Sequence, residues 1–114
     1  MLPDQDIERL LHIRDAARNI GQFVNGVSEQ QFMESDLIQH AVINCLFIIG
    51  EVATRITDAT RDTYHEIEWD DIRGMRNRLA HAYFDINLGI VWYSATVDTP
   101  RLLTTVEQII DSNR

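Results

Sequence analysis

The sequence predicts an all-α protein, a bundle of four main helices with short additional helical pieces. Three observations carry this. Apolar residues recur at helical spacing in long stretches, capping residues stand where those stretches begin and end, and no segment alternates as a half-buried strand would. At 114 residues the chain makes a single domain over 1–114, large enough to bury about two-thirds of its unfolded surface. It holds no internal repeat and no low-complexity tract.

The first helix is expected over Asp4–Val24, with Ile7, Leu10, Leu11, Ala17, Ile20 and Phe23 close to one face. Arg9, Arg14, Asp15 and Arg18 lie away from that stripe and read as solvated, and His12, near its edge, reads as structural. Asn25-Gly26 ends the helix, since both residues tolerate a left-handed cap. Ser28-Glu29-Gln30-Gln31 fits a capping box for a short helix carrying Phe32 and Met33.

Ser35 or Asp36 can cap a central helix reaching about Thr57. It is apolar on most sides through Leu37, Ile38, Ala41, Val42, Cys45, Leu46, Ile49, Val52, Ala53 and Ile56. Such a helix belongs in the middle of a bundle or at an oligomer interface. One stripe is polar, with His40, Asn44, Glu51 and Arg55 close together around Phe47. Two readings stand: a solvated strip, or a Glu51 that pairs with an arginine of the Arg73–Arg78 cluster. A buried carboxylate without a partner would be very unfavourable.

Asp58 to Glu68 reads as polar and irregular, after which Trp69-Asp70-Asp71 starts a helix whose positive end suits the two aspartates. Asn87 can cap a further helix carrying Leu88, Val91, Trp92 and Ala95. Asp98-Thr99-Pro100 is expected to break it and restart, with Thr99 as N-cap and Pro100 at the first helical position. The last helix buries Leu102, Leu103, Val106, Ile109 and Ile110.

The apolar fraction of 45% with 25% charged residues is ordinary for a soluble globular protein. The longest apolar run, Ala41 to Gly50, is about half a bilayer span and is interrupted by Asn44, so no membrane segment is expected. The N-terminus has neither a basic start nor an export-type apolar stretch, and the lone Cys45 reads as a small buried hydrophobe. Together these features predict a cytoplasmic protein.

A net charge of −8 argues against a general nucleic-acid-binding surface, so any nucleic acid would be met at a local patch. Every basic residue is arginine. That choice suits bidentate phosphate or carboxylate contacts, and genome base composition explains it equally well. No metal or other cofactor is expected. Inward Glu-x-x-His pairs are missing, His65-Glu66-Ile67-Glu68-Trp69 lacks the second histidine of a zinc-protease helix, and there is neither a cysteine set nor a glycine-rich phosphate loop.

Chemistry concentrates in Arg73–Ile86, where Arg73, Arg76 and Arg78 precede His81 and Tyr83. With Ile72 at the origin of the helical wheel, Met75, Leu79 and Tyr83 fall within roughly 60° and form the core face. Arg76 lies beside them at roughly 40°, while Arg73, Asn77 and His81 project at roughly 100°, 140° and 180°. Arg76 and His81 of one chain therefore diverge by roughly 140°, and a two-fold dimer packed along this helix would gather both residue types from two subunits around one cleft. Histidine is the natural acid or base near neutral pH, and arginine can hold a phosphate and stabilise the charge that builds on it. Together they suffice for metal-free cleavage of RNA through its own 2′-hydroxyl. The competing reading is an arginine bonded to Glu51 and a histidine capping the helix C-terminus.

Arg76-Asn77-Arg78-Leu79-Ala80-His81-Ala82-Tyr83 resembles the R-x4-H-x-Y motif of the HepT-like branch of the HEPN family. Ile48-Ile49-Gly50-Glu51, Trp69-Asp70-Asp71-Ile72-Arg73-Gly74-Met75, and Asp85-Ile86-Asn87 to Val91-Trp92 also look like that branch, so the likeness covers nearly the whole chain. It implies a HEPN-type four-helix up-and-down bundle, homodimeric, with the motifs of two subunits facing a shared cleft. It further implies a metal-independent ribonuclease toxin of a toxin–antitoxin pair. Position by position, Arg76 and His81 would be catalytic, supported by Asn77, Glu51 and Arg73. Tyr83 would be the hydroxyl that a minimal nucleotidyltransferase antitoxin modifies with AMP. An expectation of a different class is a non-catalytic helical partner or scaffold of that nucleotidyltransferase.

Overall fold

The computed structural model describes residues 2–81 and 86–114, with Arg78, Ala80 and His81 described by their backbone alone. Seven helices follow in order: α1 Asp4–Val24, α2 Glu29–Met33, α3 Asp36–Ala53, α4 Asp58–Thr63, α5 Trp69–His81, α6 Leu88–Tyr93 and α7 Thr99–Ser112. No strand occurs among the described residues. The all-α bundle is the architecture the periodicity predicts: α1 packs between α3 and α7, and α3 packs between α1 and α5.

Several local devices act as the sequence suggests. Ser28 and Gln31 close a reciprocal capping box, and Ser35 Oγ accepts the Ile38 N–H at the head of α3. Asn87 Oδ1 accepts the N–H groups of Gly89 and Ile90 at the head of α6. Past α1, Gly26 takes the left-handed conformation at φ 74°, while Asn25 stays extended.

Four expectations need correction. The central helix stops at Ala53 rather than near Thr57, because Arg55 and Ile56 bond back only three residues, to Val52 and Ala53, which tightens the last turn and ends it. The segment after it is not irregular: Thr57 Oγ1 accepts from the Thr60 N–H and starts α4. The chain does not break at Pro100 either. A π-helical turn over Ser94–Asp98 joins α6 to α7, and Thr99, itself helical, donates its N–H to Ser94 O instead of capping. A proline cannot take the ordinary helical hydrogen bond, and widening the preceding turn lets the helix continue past it. Finally, Phe23 and Leu37 are 38% and 81% exposed rather than core. They lie in terminal turns of α1 and α3, beyond the layer where helices cover one another.

The core is continuous through Leu10, Ile13, Ile20, Phe32, Val42, Ile49, Val91, Val106 and Ile109. Cys45 is buried within it, and burial raises its thiol pKa. By length and composition α3 could cross a membrane, at a mean hydropathy of 1.4, and 33% of it is buried inside the bundle, where it packs against α1 and α5. Among the described residues one carboxylate is fully buried: Asp6 accepts from the Thr57 and Thr60 hydroxyls at 2.6 Å each, and from the Thr57 N–H and Arg9 at 3.3 Å. Arg9 also donates to Arg55 O at 2.6 Å, so the cluster pins the start of α1 to the corner between α3 and α4. Burial alone would raise the Asp6 pKa. The hydroxyl, amide and guanidinium donors outweigh it and hold the carboxyl below its ordinary value.

Candidate active site on the α3–α5 pair

Helix α5 is anchored at its start by Trp69, a buried side chain whose indole N–H donates to Tyr64 O at 3.1 Å. Asp70 and Asp71 occupy its first turn, where acidic groups are favoured. Ile72, Met75 and Leu79 turn inward as the helical wheel predicts, Leu79 being 5% exposed. The backbone remains helical through His81. That is the regularity on which the angular separation of Arg76 and His81 depends.

The two helices cross where α3 carries Gly50. A Cβ built there would lie 2.3 Å from Arg76 Cβ and 3.2 Å from Arg76 Cα. Arg76 therefore sits directly on α3, beside the next residue, Glu51. Its Nε donates to Glu51 Oε2 at 2.9 Å, and its Nη1 donates to Asn77 Oδ1 at 2.8 Å. Arg55 approaches the second oxygen of Glu51 at 3.6 Å. The side chains of Arg76 and Glu51 are 32% and 33% exposed. A pair this open adds at most about 1 kcal/mol to stability after solvent screening. Its value is geometric: Glu51 and Asn77 fix the guanidinium plane while its Nη2 makes no hydrogen bond among the described residues.

The structure thus brings Arg76, Asn77 and Glu51 together. Glu51 is not a free member of a solvated strip, whereas His40, Asn44 and Arg55 along the same stripe are exposed. Arg73 takes a separate partner, Asp70, on the exposed side of α5. The side chain of His81 and the whole of Tyr83 lie outside the described residues. Sequence reasoning passed over Gly50 as a contact and Arg55 as a second cation on Glu51. A glycine in the middle of an apolar helix, where alanine would be intrinsically favoured, was the available signal.

The adjoining side of α5, which carries Asp71, Ile72 and Met75, borders a groove of about 660 Å³ with an apolar floor that includes Ile49, Ile72 and Met75. Among the described residues its rim carries Glu66, Glu68, Asp71 and Asp98 against a single cation, Arg101. The hydrogen bond that protonated Glu68 donates to Asp71, together with the charge of Asp71 and then of Asp98, raises the pKa of Glu68. Such a rim repels phosphate. The Arg76 side of α5 is the one suited to an anionic ligand.

Residues 13–109 match the family model described as "Ribonuclease HepT-like". The chain belongs to that family. Two relatives from Methanocaldococcus jannaschii, both provisionally named RNases, are 31% and 32% identical over 110 residues. Those alignments cover 96% of this chain and 91% and 95% of the relatives. A relative from Thermococcus cleftensis, provisionally named ribonuclease HepT, is 31% identical over 97 residues, covering 85% of this chain and 88% of its own. No solved structure matches the chain. Family membership places the chain in the HepT-like branch that its R-x4-H-x-Y stretch resembles.

Proposed function

We propose that this protein is a metal-independent endoribonuclease, the toxin of a toxin–antitoxin pair, acting in the cytoplasm as a homodimer. The observation that carries the reading is the guanidinium of Arg76, held by Glu51 and Asn77 with its Nη2 unbonded among the described residues, five residues before His81 in a family of ribonucleases. The names of the relatives support the same activity.

In this mechanism two subunits contribute Arg76 and His81 to one cleft. One His81 takes the proton of an RNA 2′-hydroxyl, and the 2′ oxygen attacks the adjacent phosphorus. The bond from phosphorus to the 5′ oxygen breaks, and a protonated His81 of the partner subunit gives its proton to the departing oxygen. Arg76 stabilises the charge that builds on the phosphoryl oxygens, a contribution of roughly 10²–10³-fold for a well-placed donor. RNA supplies its own nucleophile, so the chemistry needs neither a metal nor another cofactor. Arg73 and Arg78 of both subunits add positive potential to a chain that is otherwise acidic.

Silencing at Tyr83 is part of the same proposal. A minimal nucleotidyltransferase antitoxin transfers AMP to the Tyr83 hydroxyl, and the added bulk and negative charge repel the RNA phosphate. The pI of about 4.7 favours a second reading, a non-catalytic scaffold for that nucleotidyltransferase, because an acidic surface suits a protein partner better than RNA.

Inducing the chain alone, beside Arg76→Ala and His81→Ala, separates the two. The nuclease reading expects arrested growth and fragmented RNA with the wild-type chain only, and equal growth with intact RNA in all three contradicts it. Intact mass after co-expression with a nucleotidyltransferase tests the modification, and an adenylate that persists in Tyr83→Phe excludes that residue. A monomer by light scattering at micromolar concentration contradicts the composite cleft.

A further inference from the structure

Three glycines of this chain stand in quite different surroundings. Gly26 has a positive φ that a turn requires, and a Cβ added at Gly21 in α1 would meet nothing within 4 Å. Gly50 is different from both. It lies inside α3 without a positive φ, so backbone freedom does not explain it. Intrinsic preference does not explain it either, since alanine is the better residue in a helix interior. What distinguishes it is the neighbour, Arg76, whose Cβ occupies the space a side chain at position 50 would need.

We infer that Gly50 is a positioning residue for Arg76: its missing Cβ is the notch that lets α5 settle on α3 at the height where Arg76 Nε meets Glu51. This rests on the reading of Arg76 as the group that holds the RNA phosphate. A contact of 2.3 Å must open to ordinary van der Waals separation, a displacement of about 1.2 Å or more. The obstructing atoms are Cβ, Cγ and Cα of Arg76, close to the α5 backbone, so the side chain cannot swing away and the helix itself must move. Among the described residues α3 is the one main helix against which α5 packs closely, so the displacement falls on the α3–α5 contact. The Nε–Glu51 bond at 2.9 Å does not survive it, and the guanidinium loses both its plane and its place. A misplacement of about 1 Å in a group that orients substrate costs roughly 100-fold in rate.

The test compares Gly50→Ala with Gly21→Ala, each as the full chain. Turnover of a short RNA is measured, together with exchange of the Arg76 Nε–H proton by NMR, which reads the bond to Glu51 whether or not RNA is cut. Gly50→Ala is expected to keep its helical circular dichroism and a Tm within about 5 °C of wild type. Its turnover falls roughly 100-fold and its Nε–H exchanges freely. Gly21→Ala matches wild type in both. In an Arg76→Ala background, Gly50→Ala causes no further loss, which separates positioning from general damage. Wild-type turnover and a protected Nε–H in Gly50→Ala overturn the inference. So does collapse of its helical content, which would make Gly50 a packing residue of the core. Should the wild-type chain cut no RNA, the nuclease reading fails alone, and Nε–H exchange still decides the role of Gly50.

Discussion

Two carboxylates in this bundle, Asp6 and Glu51, each bond an arginine from their own surroundings, and they end in opposite situations. Asp6 is fully buried, and its hydroxyl, amide and guanidinium partners close around it. Glu51 is a third exposed and bonds an arginine that keeps donor capacity for something else. A closed buried carboxylate specifies structure, because its own oxygens are already satisfied and out of a ligand's reach. A half-open cluster adds little stability but holds a charged group in a defined plane where a ligand can reach it. The difference separates a structural carboxylate from one that serves a site, and it can be broken or sharpened from either side.

The largest effect is expected at the open cluster. Arg76→Ala should lower RNA cleavage by about 10³-fold, or about 4 kcal/mol in activation free energy, with Tm nearly unchanged. Turnover and a thermal melt of one preparation check this. If the melt moved as far as the activity fell, the two clusters would not differ in kind.

Next comes the closed cluster. Asp6→Ala strands two hydroxyls and part of a guanidinium, and should cost about 3 kcal/mol, a fall in Tm of roughly 15 °C. Turnover per folded molecule below that melting range should match wild type. An activity loss in fully folded Asp6→Ala would tie the corner of α1, α3 and α4 to the chemistry after all.

A pH series sharpens the same point. The folded pKa of Asp6 lies below its ordinary value of 3.8, so its stabilisation is complete above that value. It is lost as pH falls through the lower folded pKa. The stability gap between wild type and Asp6→Asn, from urea titrations, should therefore be constant near neutrality and close in strong acid. A gap that widened on acidification would mean the carboxyl is not stabilised in its charged form.

The smallest effect concerns Cys45, which belongs to neither cluster. Its buried thiol, with a raised pKa, should alkylate slowly in the folded chain and rapidly in urea. Equal rates in the two conditions would place an opening next to the α3 core.

Much of this was legible in the sequence, for identifiable reasons. The bounds of α1 followed from spacing and from Asn25-Gly26, and the heads of α2, α3 and α6 from Ser28, Ser35 and Asn87, because capping is local chemistry. Misreadings came where distant residues decide. Thr57 looks like a helix end and Thr60 like a loop residue until Asp6, 51 and 54 positions away, gives their hydroxyls a partner and α4 a reason to form. Pro100 looks like a break until the widened turn before it is seen. At the site, the chance that Glu51 meets an arginine was readable from its depth in an apolar helix. Gly50 stood out only as a glycine inside an apolar helix, and the identity of the neighbour that fills its notch was not readable, because nothing in a sequence says how closely two helices cross.

The central claim is that Arg76 and His81 cut RNA through its own 2′-hydroxyl, and its most direct test is cleavage of a defined RNA by the purified chain in excess EDTA. The account predicts fragments ending in a 2′,3′-cyclic phosphate, with a 2′-deoxy substitution at the cut site abolishing the reaction. Neither Arg76→Ala nor His81→Ala should produce those fragments while keeping the wild-type fold. Cleavage that needs a divalent metal, or that both variants perform as well as wild type, would contradict it.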